Sequence, residues 1–335
     1  MKPSVLVGGR LPSSVMARLE DACDVDRVEG GTPTHDELVA RIPGKQGLLA
    51  MITNTVDRAL LDAGRDLRIV ANAAVGYNNI DVAAARERGI IVTNTPDVLT
   101  QATADFTWAL ILGITRRLGE GERLVRRGGW KGWAFDFMLA TELRGKQLGI
   151  VGYGRIGKAV AARAAAFGME VAHTSRSHPT AQARGPHGAD LRRGVEECAA
   201  GTPGSGGGMP LDRLLSTSDV VSLHVPLTPD TTHLIDQPAL ARMKRNAYLI
   251  NTARGPVVDE PALAWALKNR LIAGAALDVY EQEPVVHPEL LTLENVLLAP
   301  HMASGTTETR TAMADLAARN VIAVLSGQLP LTPVS

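Results

Sequence analysis

Short β-branched, apolar runs alternate with stretches of helical periodicity through the first hundred positions: SVLVGGR, PSSVMARLEDA, GLLAMI, VDRALLDAG, LRIVANAAV, IDVAAARERG and IIVTNT. That alternation predicts a parallel α/β sheet. Thr95-Pro96-Asp97 breaks the rhythm, and ATADFTWALILGITRRLGEGERLVRRG, residues 102–128, then predicts one long helix suited to crossing between domains. From Gln147 a second alternation runs through QLGIVG, RIGKAVAARAAAFG, MEVAHTS, DVVSLHV, AYLIN, PALAWALKN, AGAALDV and VLLAP. It predicts a second doubly wound sheet. The last stretch, TTETRTAMADLAARNVIAVLSG, has helical spacing and no strand after it, so it is expected to pack back on the first domain. The expected fold is therefore α/β, two doubly wound parallel-sheet domains separated by a cleft. Residues 1–100 plus 303–335 form one domain and residues 101–302 the other.

Between Ser177 and Leu211 the chain is rich in Gly, Pro, Ala and Ser and includes AAGTPGSGGGMP. Such a composition cannot support a core of its own and predicts a mobile loop.

Bulk properties narrow the function. At 335 residues, 45% hydrophobic and 21% charged, the chain exceeds what one core normally serves, which by itself favours two domains. Lys plus Arg equals Asp plus Glu at 35 each, so no global field draws it to nucleic acid or an anionic membrane. A small-molecule partner is expected. Cys23 and Cys198 form no CxxC and have no neighbouring His at ligand spacing, so neither a disulfide framework nor a metal site is expected, and a reducing cytoplasm fits. The start MKPSVLVGGR is too weakly apolar for a signal peptide, and WALILGI is far short of a membrane span.

GIVGYGRIG, residues 149–157, sets Gly152, Gly154 and Gly157 in GxGxxG spacing directly after an apolar strand and before a helical run. In that context the glycines serve a tight turn, close approach to a pyrophosphate and tight helix packing, with backbone amides of Arg155 and Ile156 donated to the phosphates. Where NAD enzymes carry an acid at the end of the next strand, this chain reads His173-Thr174-Ser175-Arg176-Ser177. An anion there would repel a 2′-phosphate, whereas Ser175, Arg176 and Ser177 can bind one, so NADPH is expected to be preferred with NADH as the second cofactor. A solvated arginine at a strand end is the alternative.

LINTARG, ALDVYEQEP and LLAPHMASGT stand at the ends of predicted strands, where open α/β sheets place their ligands. Together they offer Arg254, Asp278, Glu283 and His301.

With NAAVGYNNID, VGYGRIG, LHVPLTPDT, NTARGPVVDE, LDVYEQEP and PHMAS in this order, essentially the whole chain resembles the D-isomer-specific 2-hydroxyacid dehydrogenase family. GGWKGWAFDFMLA, TPDVLTQATADFTWALIL and the ending PLTPV resemble its glyoxylate and hydroxypyruvate reductases most. The resemblance implies a flavodoxin-like substrate domain, a Rossmann nucleotide domain, and NAD(P)H-dependent reduction of a small 2-oxo acid such as glyoxylate or hydroxypyruvate. It places the catalytic arginine on Arg254, the glutamate on Glu283 and the histidine on His301. In those roles His301 gives a proton to the carbonyl as hydride arrives, Glu283 supports the protonated ring, and Arg254 orients the 2-oxo acid. Val75 and Gly76 match the loop that grips the substrate carboxylate with backbone amides, though an ordinary turn after a strand would read the same. Asp278 matches a position beside the nicotinamide carboxamide, Thr252 and Ala253 line the same mouth, and Pro226 with Thr231 border the adenosine. Thr103 is expected either near the nicotinamide or pyrophosphate or as a helix cap.

Trp130 and Trp133 fall where the family forms its dimer, so a homodimer is expected, with Trp133 or Met138 reaching a substrate pocket. D-lactate, D-glycerate, 2-ketogluconate and phosphoglycerate remain open as substrates, because loops set pocket shape. The absence of a domain after residue 335 weighs against an amino-acid-regulated phosphoglycerate dehydrogenase. Formate dehydrogenase needs no acid paired with a glutamate. A nucleotide-sensing binding protein with the same triad is the alternative from another class.

Overall fold

The computed structural model describes residues 2–28, 31–174 and 208–334; the sequence-predicted loop from Ser177 to Leu211 lies almost wholly outside them. The chain divides into two compact units, Met1–Thr100 with Ser304–Ser335, and Gln101–Ala303.

The first unit is built from β1 Ser4–Val7, α1 Ser13–Ala22, β2 Asp24–Arg27, α2 His35–Arg41, β3 Gly47–Ala50, α3 Arg58–Ala63, β4 Ile69–Asn72, α4 Val82–Glu87 and β5 Ile91–Thr93. All pairings in its sheet, ordered β2-β1-β3-β4-β5, are parallel. Leu48, Leu49, Ile69 and Val70 are fully buried, as strands covered on both faces require. Local chemistry fixes where the helices begin. Thr34 and Glu37 form a capping box, and Asp57 and Asp81 accept the N–H groups of Leu60 and Ala84.

In the second unit α5 Thr100–Thr115 leads into α6 Leu118–Arg126, β6 Gln147–Val151, α7 Arg155–Ala164, β7 Glu170–Thr174, α8 Leu211–Thr217 and β8 Val220–Leu223. It continues with α9 Gln237–Arg242, β9 Tyr248–Asn251, α10 Glu260–Lys268, β10 Gly274–Leu277 and β11 Val296–Leu298. Its six strands, ordered β11-β10-β9-β8-β6-β7, are again all parallel. Both units are thus parallel-sheet α/β domains. The chain then returns to the first unit as α11 Thr307–Leu325. There Ala314, Ala317 and Ala318 let the helix lie close on β3 and β4 in a core with Val5, Leu49 and Ile69.

One expectation is corrected. The single helix over 102–128 is two, because Arg117 takes a left-handed conformation at φ 54° and its guanidinium turns to Glu120 at 2.7 and 2.9 Å. α5 buries Trp108, stacked on Phe167, whereas α6 has no buried residue. Beyond it Trp130, Trp133, Phe135 and Leu139 are exposed. Among the described residues no helix is long and apolar enough to cross a membrane.

Candidate active site

The turn from β6 to α7 depends sterically on glycine at two points, Gly152 and Gly157. Gly152 sits at φ 98°, and a Cβ there would lie 2.7 Å from the His224 carbonyl. A Cβ on Gly157 would overlap the Gly152 carbonyl oxygen, while one on Gly154 would meet nothing within 4 Å. Backbone therefore crowds this loop at Gly152 and Gly157 and leaves it open at Gly154, where no side chain caps the ten-residue α7. A helix N-terminus with an open approach fits an anionic pyrophosphate, so the chain's residues suit a dinucleotide. Arg155 opens the helix and Ile156 packs partly against the core. Ser175, Arg176 and Ser177 lie outside the described residues, just past the end of β7 at Thr174. Next to this loop, His224 shares a 2.9 Å hydrogen bond between Nε2 and Ser222 Oγ. Burial drives its pKa down to about 3, so the ring is neutral at physiological pH.

Arg254, Glu283 and His301 follow β9, β10 and β11, three adjacent strands. At the end of β9 the Asn251 side chain accepts from the Ala253 N–H at 3.0 Å and donates to the Arg254 carbonyl at 2.9 Å, closing a tight turn. The Arg254 guanidinium donates to the Ala253 carbonyl at 2.6 Å. A Cβ on Gly255 would overlap the Tyr280 carbonyl, so this turn is pressed directly against the segment leading to Glu283. Burial lowers the Arg254 pKa from its ordinary value and the Glu283 carboxylate opposes that shift. The group stays a cation.

His301 Nδ1 lies 2.7 Å from Glu283 Oε2, and Glu283 Oε1 accepts the Tyr280 N–H at 3.2 Å. Burial by itself would raise the Glu283 pKa. The His301 hydrogen bond and charge, the Tyr280 N–H and Arg254 outweigh it and hold the carboxyl below its ordinary value. His301 is itself in the left-handed region at φ 50°. Its N–H donates to the Asp278 carbonyl at 2.9 Å, and the Asp278 carboxylate accepts the next two, Met302 at 2.7 Å and Ala303 at 2.8 Å. Asp278, whose pKa is raised by burial, thus ties down the loop that carries the histidine.

The remaining sequence-predicted residues divide by what already holds them. Thr252 Oγ1 meets Thr107 Oγ1 at 3.0 Å, and Thr103, buried in the first turn of α5, offers its carbonyl to that Thr107 hydroxyl at 2.8 Å. Thr231 donates to the Pro226 carbonyl at 2.7 Å and accepts the Thr228 N–H at 2.8 Å, so its hydroxyl shapes the turn itself. Val75 and Gly76 lie in the first unit, in the loop after β4. Asn251, Thr107 and Glu260 were not anticipated. Glu260 is buried and accepts the N–H groups of Glu281 at 2.6 Å and His287 at 3.3 Å, bracing the loop that carries Glu283. An Asn ending an apolar strand just before a turn was the one legible signal among them.

Residues 108–303 match the profile described as "D-isomer specific 2-hydroxyacid dehydrogenase, NAD binding domain". A glyoxylate reductase from Thermofilum pendens is 44% identical over 334 residues, 98% of this chain and 93% of that protein. Among solved structures, the TT0316 protein from Thermus thermophilus superposes with a TM-score of 0.87 at 40% identity, covering 99% of this chain and 100% of that one. An NADPH-dependent glyoxylate/hydroxypyruvate reductase from Sinorhizobium meliloti, in complex with NADP and malonate, gives a TM-score of 0.84 at 36% identity. It is covered to 97%, and this chain to 100%.

Proposed function

This chain belongs to the D-isomer-specific 2-hydroxyacid dehydrogenase family, an oxidoreductase of 2-oxo acids, and from that premise we propose that it reduces glyoxylate and hydroxypyruvate with NADPH. The observation that carries the proposal is the 2.7 Å pairing of His301 with Glu283 beside the half-buried Arg254, at the ends of three neighbouring strands. Gly152, Gly154 and Gly157 would hold the pyrophosphate of a nicotinamide dinucleotide, which when bound would supply the hydride for C2. His301, protonated and with Nδ1 on Glu283, gives its Nε2 proton to the carbonyl oxygen, so the 2-oxo acid leaves as the 2-hydroxy acid and the ring is left neutral. Glu283 stays ionised throughout and keeps the ring oriented. Arg254 polarises the carbonyl and pairs with the carboxylate, the guanidinium being the cation best suited to that fork. The Val75–Gly76 loop takes the substrate carboxylate on backbone N–H groups. Asp278, Thr252 and Ala253 shape the nicotinamide mouth, and Thr103, Pro226 and Thr231 border the nucleotide.

The preference for NADPH rests on Ser175, Arg176 and Ser177, which bring a cation and hydroxyls where an acid would repel a 2′-phosphate. NADH serves less well. The exposed Trp130, Trp133, Phe135 and Leu139, with no fully buried residue in α6, support a homodimer, which light scattering would show as twice 35.5 kDa. Two cysteines in the chain suit the cytoplasm. The deciding experiment is oxidation of NADPH and NADH against glyoxylate, hydroxypyruvate, pyruvate, 2-ketogluconate and 3-phosphohydroxypyruvate. Turnover fastest with NADPH and the first two acids is expected. Nucleotide binding without turnover of any acid would instead identify a nucleotide sensor.

A further inference from the structure

We propose that Asn94 and Asn72 are positioning residues that set the Val75–Gly76 loop as a preformed carboxylate receptor. The proposal rests on the reading of that loop as the carboxylate grip. Three successive carbonyls of the loop are pinned. Ala74 accepts the Thr95 N–H at 2.9 Å, Val75 the Asn94 side-chain amide at 2.7 Å, and Gly76 the Asn72 side-chain amide at 2.8 Å. In a planar trans peptide the C=O of one residue and the N–H of the next point in opposite directions. Fixing those three oxygens therefore fixes the N–H groups of Val75, Gly76 and Tyr77 on the reverse sides of their peptides. Among the described residues these three N–H groups have no hydrogen-bond partner, and Val75, Gly76 and Tyr77 are partly or fully exposed. Consecutive amide donors left unpaired in an otherwise closed network are what an anion needs from backbone.

The supports of the two asparagines extend well beyond the loop. Asn72, fully buried at the end of β4, also faces Asn79, whose amide donates to the Met51 carbonyl at 3.1 Å and the Asn54 carbonyl at 3.0 Å. Asn94 is held through its own backbone by Thr332, whose hydroxyl donates to the Asn94 carbonyl at 2.6 Å, and Thr332 is fixed in turn by the buried Asn320. Each amide is thus aimed by groups other than the carbonyl it holds. An asparagine so placed contributes direction more than it contributes binding.

The test compares glyoxylate with glyoxal, an aldehyde that lacks the carboxylate, in the wild type, Asn94→Ala, Asn94→Asp and Asn72→Ser. Losing the orientation of hydrogen bonds to a charged group predicts a fall of about tenfold or more in the ratio of kcat/KM for glyoxylate over glyoxal in the Asn94 variants. The change should enter through KM for glyoxylate, with kcat, kcat/KM for glyoxal and NADPH affinity each within about twofold. A purely structural role would lower both substrates together and leave the ratio alone. Asn94→Asp keeps size and removes the donor, so it should follow Asn94→Ala. Should Asn72→Ser fail to fold, the two Asn94 variants decide. A wild type that does not favour glyoxylate over glyoxal overturns the carboxylate reading itself. A wild type that does, with variants that keep the full ratio, overturns the role of the asparagines alone.

Discussion

His301 Nδ1 and Glu283 Oε2 lie 2.7 Å apart across 18 residues of chain, the histidine in a left-handed backbone and the glutamate tethered by the Tyr280 N–H. The pair fixes the donor ring by its far nitrogen. Replacing His301 with Gln removes the proton donor and leaves the glycine loop intact, so kcat should fall roughly a hundredfold or more. Nucleotide affinity, measured by fluorescence titration, should hold. Retained kcat would remove His301 from the acid role.

Asp278 holds the histidine loop by that loop's backbone N–H groups, two of them on its carboxylate. Asp278→Asn cannot accept both the Met302 and Ala303 N–H groups with equal strength, so the loop should loosen while Arg254 and Glu283 keep their places. We expect kcat to fall about tenfold, since small misplacements of a catalytic group are costly. Faster hydrogen exchange at residues 301–303 should accompany it; unchanged exchange with lowered kcat would assign Asp278 a direct role instead.

The last two glycines of the nucleotide loop should separate folding from binding. Gly157→Ala drives a methyl into the Gly152 carbonyl and should lower the melting temperature by several degrees, about 1–3 kcal/mol. Gly154→Ala meets open space, so the protein should melt as before yet bind NADPH at least about tenfold more weakly by calorimetry, because the methyl stands where a phosphate would approach.

Stability should depend on acid through His224. Its folded pKa near 3 lies below the ordinary value of 6.5, so between those pH values the unfolded chain takes a proton that the folded chain refuses. Stability is fully present above pH 6.5 and falls as pH drops towards 3, by up to about 1.4 kcal/mol per pH unit. Thermal melts of His224→Gln should decline less steeply than the wild type between pH 6.5 and 4.5. Parallel slopes would show that other groups govern the acid limb.

How much of this was legible in the sequence follows from the range of each interaction. The parallel sheets could be read because strands buried on both faces are apolar throughout, and the glycine loop because its three glycines fall within six residues between a strand and a helix. The break at Arg117 could not, since its ion pair with Glu120 suits a continuous helix equally well. Thr231 showed its position and hid its work, a turn closed by its own hydroxyl. Asn72, Asn79 and Asn94 carry no signal of their own in the sequence. Their roles depend on which carbonyls the fold carries to them, and no local pattern records that.

The helix α11, laid on β3 and β4, is joined in sequence to strands that end more than two hundred residues earlier. On the ribosome the opening hundred residues must therefore wait roughly ten to forty seconds for the segment that covers their sheet. The intervening unit needs no such partner and can fold meanwhile. The order of birth along the chain is thus reversed in the order of maturation, and the early sheet face is the surface a chaperone would meet.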